Sequence, residues 1–161
     1  VIRPVALLGL AAFALSLQPG FALAQTGTLR LTPAEIAAKT PVGAGAGTSG
    51  VSGVQSVVLF GDPTKAGPYT IEIRVPANTR IAAHEHRDDR TAVVVSGQWF
   101  LGYGAKASDD AAKALPPGSF YTEPGGVAHF ARTGDQPAVV YITGFGPTDT
   151  VYVDPATAPH P

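Results

Sequence analysis

Regular alternation of apolar and polar positions begins near residue 54 and runs almost to the C-terminus. Its clearest stretch is Pro68 to Val75, where Tyr69, Ile71, Ile73 and Val75 fall on one face and Thr70, Glu72 and Arg74 on the other. A period of two belongs to an extended strand with one face on a core. Gln55 to Phe60 reads as an apolar strand closed by Gly61-Asp62-Pro63. Further strands are predicted at Arg80 to His86, Thr91 to Ser96, Gln98 to Tyr103, Ser119 to Thr122, Ala128 to Arg132 and Ala138 to Phe145, with an edge strand at Thr150 to Val153. Ser96-Gly97 reads as a hairpin connection. Pro76-Ala77-Asn78, Pro116-Pro117-Gly118, Pro124-Gly125-Gly126 and Gly134-Asp135-Gln136-Pro137 read as turns. Asp109 to Ala114 reads as a helical turn or a loop, and residues 155–161 as a loose tail. Roughly seven to ten short strands at close spacing point to an all-β sandwich or closed barrel. No amphipathic helices separate them, which excludes a doubly wound sheet.

The chain upstream of residue 54 has a different character. Residues 1–24 read as a secretory signal: Arg3 is the only charge, an apolar stretch runs from Val5 to Leu17, and Pro19 and Gly20 break it. Ala22-Leu23-Ala24 then fits a small-x-small cleavage site, leaving Gln25 first in the mature chain. The apolar run is too short and too interrupted to span a bilayer as an ordinary helix. The expectation is a periplasmic or secreted protein without membrane insertion. Residues 25–53 form an N-terminal extension. In it Thr32 is a plausible N-cap, with Pro33 at the first helical position and Glu35 at the third, and a short helix through Lys39 follows. Gly43 to Gly53 is glycine-rich, lacks a phosphate-loop lysine and has no apolar strand before it, so it reads as a flexible linker or a loop. The strand domain is then residues 54–154.

Composition narrows the chemistry. Eleven Lys plus Arg against 12 Asp plus Glu leave a net charge of -1, so there is no basic footprint for nucleic acid. There is no Cys in the 161 residues, which excludes disulfides, thiolate metal sites and a cysteine nucleophile. An exported compartment permits disulfides, so stability has to come from packing or a bound metal. Nineteen Gly and 15 Pro suit many short elements joined by turns.

Four histidines carry the chemical clue. His84 and His86 flank Glu85, and on a strand that spacing puts both rings on one face with Glu85 turned away. Two imidazoles in an apolar interior need a partner, and a metal ion is one. Surface histidines, or hydrogen-bonded core histidines, are the other readings of the pair. His129 follows a glycine turn, where it offers a third nitrogen, whereas His160 lies in a Pro-rich tail.

The spacing of these residues resembles the two motifs of the cupin superfamily. The first runs Gly, five residues, His-x-His, three or four residues, Glu, six residues, Gly; here Asn78, His84, His86, Arg90 and Gly97 occupy those places. The second runs Gly, five residues, Pro-x-Gly, two residues, His, three residues, Asn; here Gly118, Pro124, Gly126, His129 and Thr133 occupy them. The resemblance covers about residues 54–146 and implies a single-domain double-stranded β-helix, a jelly-roll barrel. It implies one divalent metal held by His84, His86 and His129, iron first, with Mn, Ni, Zn and Cu as alternatives. Two departures matter. Asn78 replaces a turn Gly, and Arg90 stands where a Glu ligand is usual. Arg has no acceptor lone pair and cannot ligate a metal, so the set reads as three His with open positions. An added cation favours an anionic partner, such as a carboxylate or enolate paired with Arg90. Three-His cupins in which an Arg faces substrate occur among thiol dioxygenases. Alternatively, Arg90 pairs with Asp88 or Asp89 and shuts the pocket.

Glu123, before the Pro124 turn, either lies near the metal mouth as a base or faces solvent, and it ranks above Glu85. Tyr121 and Tyr141 are candidate hydrogen-bond or proton donors. Either Phe100, or Trp99 with Leu101, points inward. The sequence reads as an exported metal-dependent cupin acting on a small anionic or oxygen-chelating molecule by dioxygenase-like, lyase or isomerase chemistry. A non-catalytic metal- or ligand-binding module and a structural protein with a vestigial site are the rival readings. Family resemblance implies a homodimer, with Gln55 to Phe60 as an available sheet edge.

Overall fold

A computed structural model describes residues 27–43 and 45–159. The expected signal segment, residues 1–24, and His160 lie outside the described residues. The chain opens with helix α1 (Pro33–Ala37), ending two residues before the expected Lys39. Its start is a capping box: the Glu35 amide donates to Thr32 Oγ1 at 3.3 Å, and the Thr32 amide donates to Glu35 Oε2 at 2.7 Å.

Eight strands follow: β1 (Gln55–Phe60), β2 (Gly67–Val75), β3 (Arg80–Glu85), β4 (Arg90–Tyr103), β5 (Lys113–Leu115), β6 (Phe120–Glu123), β7 (His129–Gly146) and β8 (Val151–Tyr152). All pairings are antiparallel. The order β1-β2-β7-β3-β8, with β4 bridging β7 to β5 and β6, is jelly-roll-like. The barrel expected from sequence is not closed, because β1 and β8 end the path and each pairs with one neighbouring strand only. The C-terminal stretch expected to be loose carries a 3-10 turn at Pro155–Thr157, capped by the Asp154 side chain.

Alternation on β2 is met: Tyr69, Ile71, Ile73 and Val75 are all buried, facing Ala92, Val94, Val140 and Ile142 in the core. Two expected breaks are not breaks. The stretches before and after Gly97 belong to one strand, β4, and those around Gly134-Asp135-Gln136-Pro137 to one strand, β7. The register between these strands shifts at Val94/Ser96 and at Gly97/Trp99. The first shift changes which parity faces inward, so Arg90, Ala92 and Val94 before it and Trp99 and Leu101 after it all point into the core. Phe100 is turned out and lies under the Arg132 guanidinium, 3.8 Å from the ring centroid.

Gly97 has φ of +83°, and a Cβ there would run into the Pro137 carbonyl of β7. Gly97→Ala is therefore expected to destabilise the fold by about 1–3 kcal/mol, read as a lower urea midpoint at unchanged slope.

Candidate metal centre

The site grows from strand register. His84 and His129 are directly paired residues of β3 and β7, and His86 lies two residues beyond His84 on the same face. Their ring centroids lie 4.4, 4.9 and 5.1 Å apart. All three rings are buried, and each presents one nitrogen such that the three lie within 4.8 Å of one another. The period-two reading of His84-Glu85-His86 thus holds, and His129 joins the pair.

The outer nitrogen of each ring is fixed by the backbone. His84 Nδ1 lies 2.8 Å from the Ala82 carbonyl, His86 Nδ1 2.5 Å from the Asp149 carbonyl, and His129 Nδ1 3.1 Å from the Val127 carbonyl. A carbonyl oxygen only accepts, so Nδ1 carries the proton in every ring and Nε2 of the neutral ring is a bare lone pair. Nε2 of His86 and of His129 are buried without a hydrogen-bond partner. Orphaned inward lone pairs, with their rings oriented by outer bonds, fit a bound cation. Burial pushes the His84 ring down to about 4 and the His86 ring down to about 3, and lowers His129 as well. The rings therefore stay neutral, as a metal requires, far into the acid range.

Glu123 is buried beside them, on the face of β6 that it shares with Tyr121. Its Oε1 lies 3.6 Å from His129 Nε2 and its Oε2 3.9 Å from His86 Nε2. Arg90 is its cross-strand partner on β4. Arg90 Nε donates to Glu123 Oε2 at 2.7 Å, and Nη2 contacts the same oxygen. Burial alone would raise the Glu123 carboxyl, yet Arg90 holds it below its ordinary value. Arg90 is neither free for a substrate anion, as first expected, nor paired with Asp88 or Asp89, the alternative, because Glu123 takes it and both of those carboxylates are committed elsewhere. Asp88 accepts from the Tyr69 and Thr148 hydroxyls, each at 2.7 Å, and Asp89 from the Gly125 amide at 2.8 Å.

Tyr121 is buried in the core with no partner for its hydroxyl, and burial keeps the phenol protonated. Tyr141 is not brought to the cluster. It lies between the inward Val140 and Ile142, so β7 turns it to the opposite face, where it sits cross-strand from Glu72.

Sequence reasoning missed the residues that close the site. The glycine-rich stretch expected as a flexible linker or loop packs over the mouth, with Thr48 and Ser49 buried. Three consecutive carbonyls tether it. Gly47 O accepts from Arg90 Nη1 at 3.1 Å, Thr48 O from the Thr150 hydroxyl at 2.8 Å, and Ser49 O from the Tyr152 hydroxyl at 2.6 Å. The cavity beneath, lined by His84, His129, Arg90, Glu123, Trp99 and this strap, is about 20 Å³. That is room for about one water.

No family model matches the chain, and no curated protein does. Solved structures do. The polyketide cyclase RemF from Streptomyces resistomycificus superposes with a TM-score of 0.56 at 19% identity, covering 67% of this chain and 76% of the cyclase. The DMSP lyase DddQ from Ruegeria pomeroyi gives 0.54 at 18%, covering 66% of this chain. The match takes in 54% of the lyase, so this chain spans about half its length. An RmlC-like cupin from Shewanella frigidimarina gives 0.51 at 18%, covering 68% of this chain and 85% of that one. The fold is cupin-like. Such identities carry the fold and no further. Within this cupin-like fold the three-His cluster is able to coordinate a divalent ion.

The depressed rings set a pH dependence. His84 and His86 take up protons near 6.5 in the unfolded chain but only near 4 and 3 in the folded one. Between those values the unfolded state binds more protons, so stability falls as pH falls. The melting temperature of the metal-free protein is expected to be flat above pH 6.5 and to drop toward pH 4. In His86→Gln that acid slope should be shallower, as thermal denaturation across pH will show.

Proposed function

We propose that this chain is an exported, metal-dependent cupin that acts on a small oxygen-chelating or anionic molecule. The observation that carries the reading is the donor set: three buried imidazoles whose Nδ1 protons are anchored to backbone carbonyls, two of them with orphaned Nε2. A bound divalent ion would polarise a substrate oxygen or activate dioxygen. Iron is the first choice for the latter, with Mn, Ni, Zn and Cu as alternatives. Glu123 stands at the cluster as a carboxylate that Arg90 keeps ionised, and Tyr121, buried in the core, keeps its phenol proton. The positive charge of Arg90 is met by Glu123, so attraction for an anionic substrate comes from the ion rather than from a free guanidinium. Dioxygenase-like chemistry and lyase or isomerase chemistry both suit this arrangement. The solved cupin folds include a lyase and a cyclase. Export rests on the signal-like residues 1–24. Among the described residues no helix is long and apolar enough to cross a membrane.

A homodimer through the β1 edge belongs to the same reading. Part of that edge is occupied within the chain, by the two-bond bridge between Val42 and Ser56.

The rival reading is a metal- or ligand-binding module without turnover. The small cavity and the committed Arg90 favour it. In either case a ligand larger than water needs more room than this cavity has, and the strap at 47–49 is part of its wall.

Metal analysis after purification is expected to give one ion per chain, and His129→Ala should lose both the ion and the thermal stabilisation it confers. Unchanged metal content in that variant would remove the site. Oxygen consumption over diketones, phenols and thiol acids separates the oxidative branch, anaerobic product formation the lyase or isomerase branch, and saturable binding without either the module. If the strap controls entry, Tyr152→Phe together with Thr150→Val should let a small chelator strip the ion several-fold faster, measured by stopped flow.

A further inference from the structure

We propose that Glu123 is a fourth protein ligand to the ion, making the centre three imidazoles and one carboxylate. The inference rests on the three-His reading and extends it. Glu123 is as deeply buried as the histidines, at 3% exposure, and it sits among them rather than beside the mouth. Two donors bound to one ion at about 2.1 Å lie about 3.0 Å apart when adjacent and about 4.2 Å apart when opposite. The separations of 3.6 Å from Oε1 to His129 Nε2 and 3.9 Å from Oε2 to His86 Nε2 fall inside that interval. Neither contact is a hydrogen bond: both Nε2 atoms are bare lone pairs on this reading, and a carboxylate oxygen has no proton to give them. Lone pairs facing lone pairs in a buried pocket repel, and a cation between them removes the repulsion.

The two carboxylate oxygens have different surroundings. Both contacts from Arg90 converge on Oε2. Oε1 is left toward His129. Arg90 thereby holds the carboxylate ionised and fixes its rotation, as partners of metal-ligating carboxylates do. The ligand comes from β6 and its partner from the opposed position on β4, so strand register alone sets the pairing.

Cobalt(II), titrated into the metal-free full-length protein, reports both affinity and ligand set through its visible absorption. Glu123→Gln keeps the shape and removes the charge, and is expected to weaken Co(II) binding by about tenfold to a hundredfold and to change the absorption envelope. Should an unpaired buried Arg90 prevent folding, the double variant Arg90→Gln with Glu123→Gln removes both charges and is expected to show the same two changes. A spectrum identical to wild type in the folding variant overturns the proposal, whether or not affinity falls, since a loss without spectral change is an effect of charge at a distance. If the wild-type protein itself binds no Co(II), the three-His reading fails, and the assignment of Glu123 fails with it.

Discussion

A guanidinium and a carboxylate face each other across β4 and β6, both sealed from water. Either one alone would be untenable there, and removing one partner of such a pair costs about 3–5 kcal/mol. Together they settle three separate matters. Bonds from Arg90 to Oε2 choose the Glu123 rotamer and turn Oε1 toward His129. The remaining arm of Arg90 takes the Gly47 carbonyl and seats the strap over the cavity. The charge of Arg90 is met inside the protein, so its guanidinium is not free to pair with an anion in the cavity.

The histidines follow a complementary logic. Every outer nitrogen is held by a carbonyl, which fixes the tautomer, while burial and the neighbouring Arg90 lower proton affinity. Such a cluster resists protons across the range where an exposed histidine would take one. The same lone pairs remain open to a cation that brings its own charge into the pocket. Proton exclusion and metal readiness therefore have one cause.

Legibility of the sequence tracked the range of each interaction. The alternation of Tyr69 to Val75 and the shared face of His84 and His86 are local consequences of a period of two, and both hold. Ser96-Gly97 reads as a hairpin connection, but a hairpin and a bulge both use a glycine with left-handed backbone, and local sequence does not say whether the chain reverses. The Gly134 to Pro137 stretch misled in the same way, as turn chemistry within the long strand β7. Partners were less accessible. Near neighbours Asp88 and Asp89 suggested themselves for Arg90, whereas its partner is 33 positions away on another strand. The glycine-rich stretch has the composition of a linker because the Thr48 side chain bonds only within it, to Gly45 and Gly50. What holds it are hydroxyls 102 and 103 positions downstream, acting on its carbonyls.

One short segment links access to ligand geometry. Asp149 grips His86 Nδ1 through its carbonyl, Thr150 and Tyr152 hold the strap, and Tyr152 also packs on His84 with ring centroids 5.6 Å apart. Opening the strap would disturb His86 if these residues moved as one. Asp149, however, has a second anchor: its carboxylate accepts from the Arg87 amide at 2.8 Å and from Arg87 Nε at 2.7 Å. Arg87 follows His86 in sequence, so the clamp ties the Asp149 carbonyl to the ring it orients, independently of the strap. The Thr150 hydroxyl that tethers the strap also lies 3.4 Å from His86 Nδ1, so its release takes one contact from the ring and leaves the shorter bond to the Asp149 carbonyl. The Arg87 clamp thus keeps the principal anchor of His86 in place, while Thr150 and Tyr152, which touch both the strap and the rings, couple closure of the mouth to the donor set.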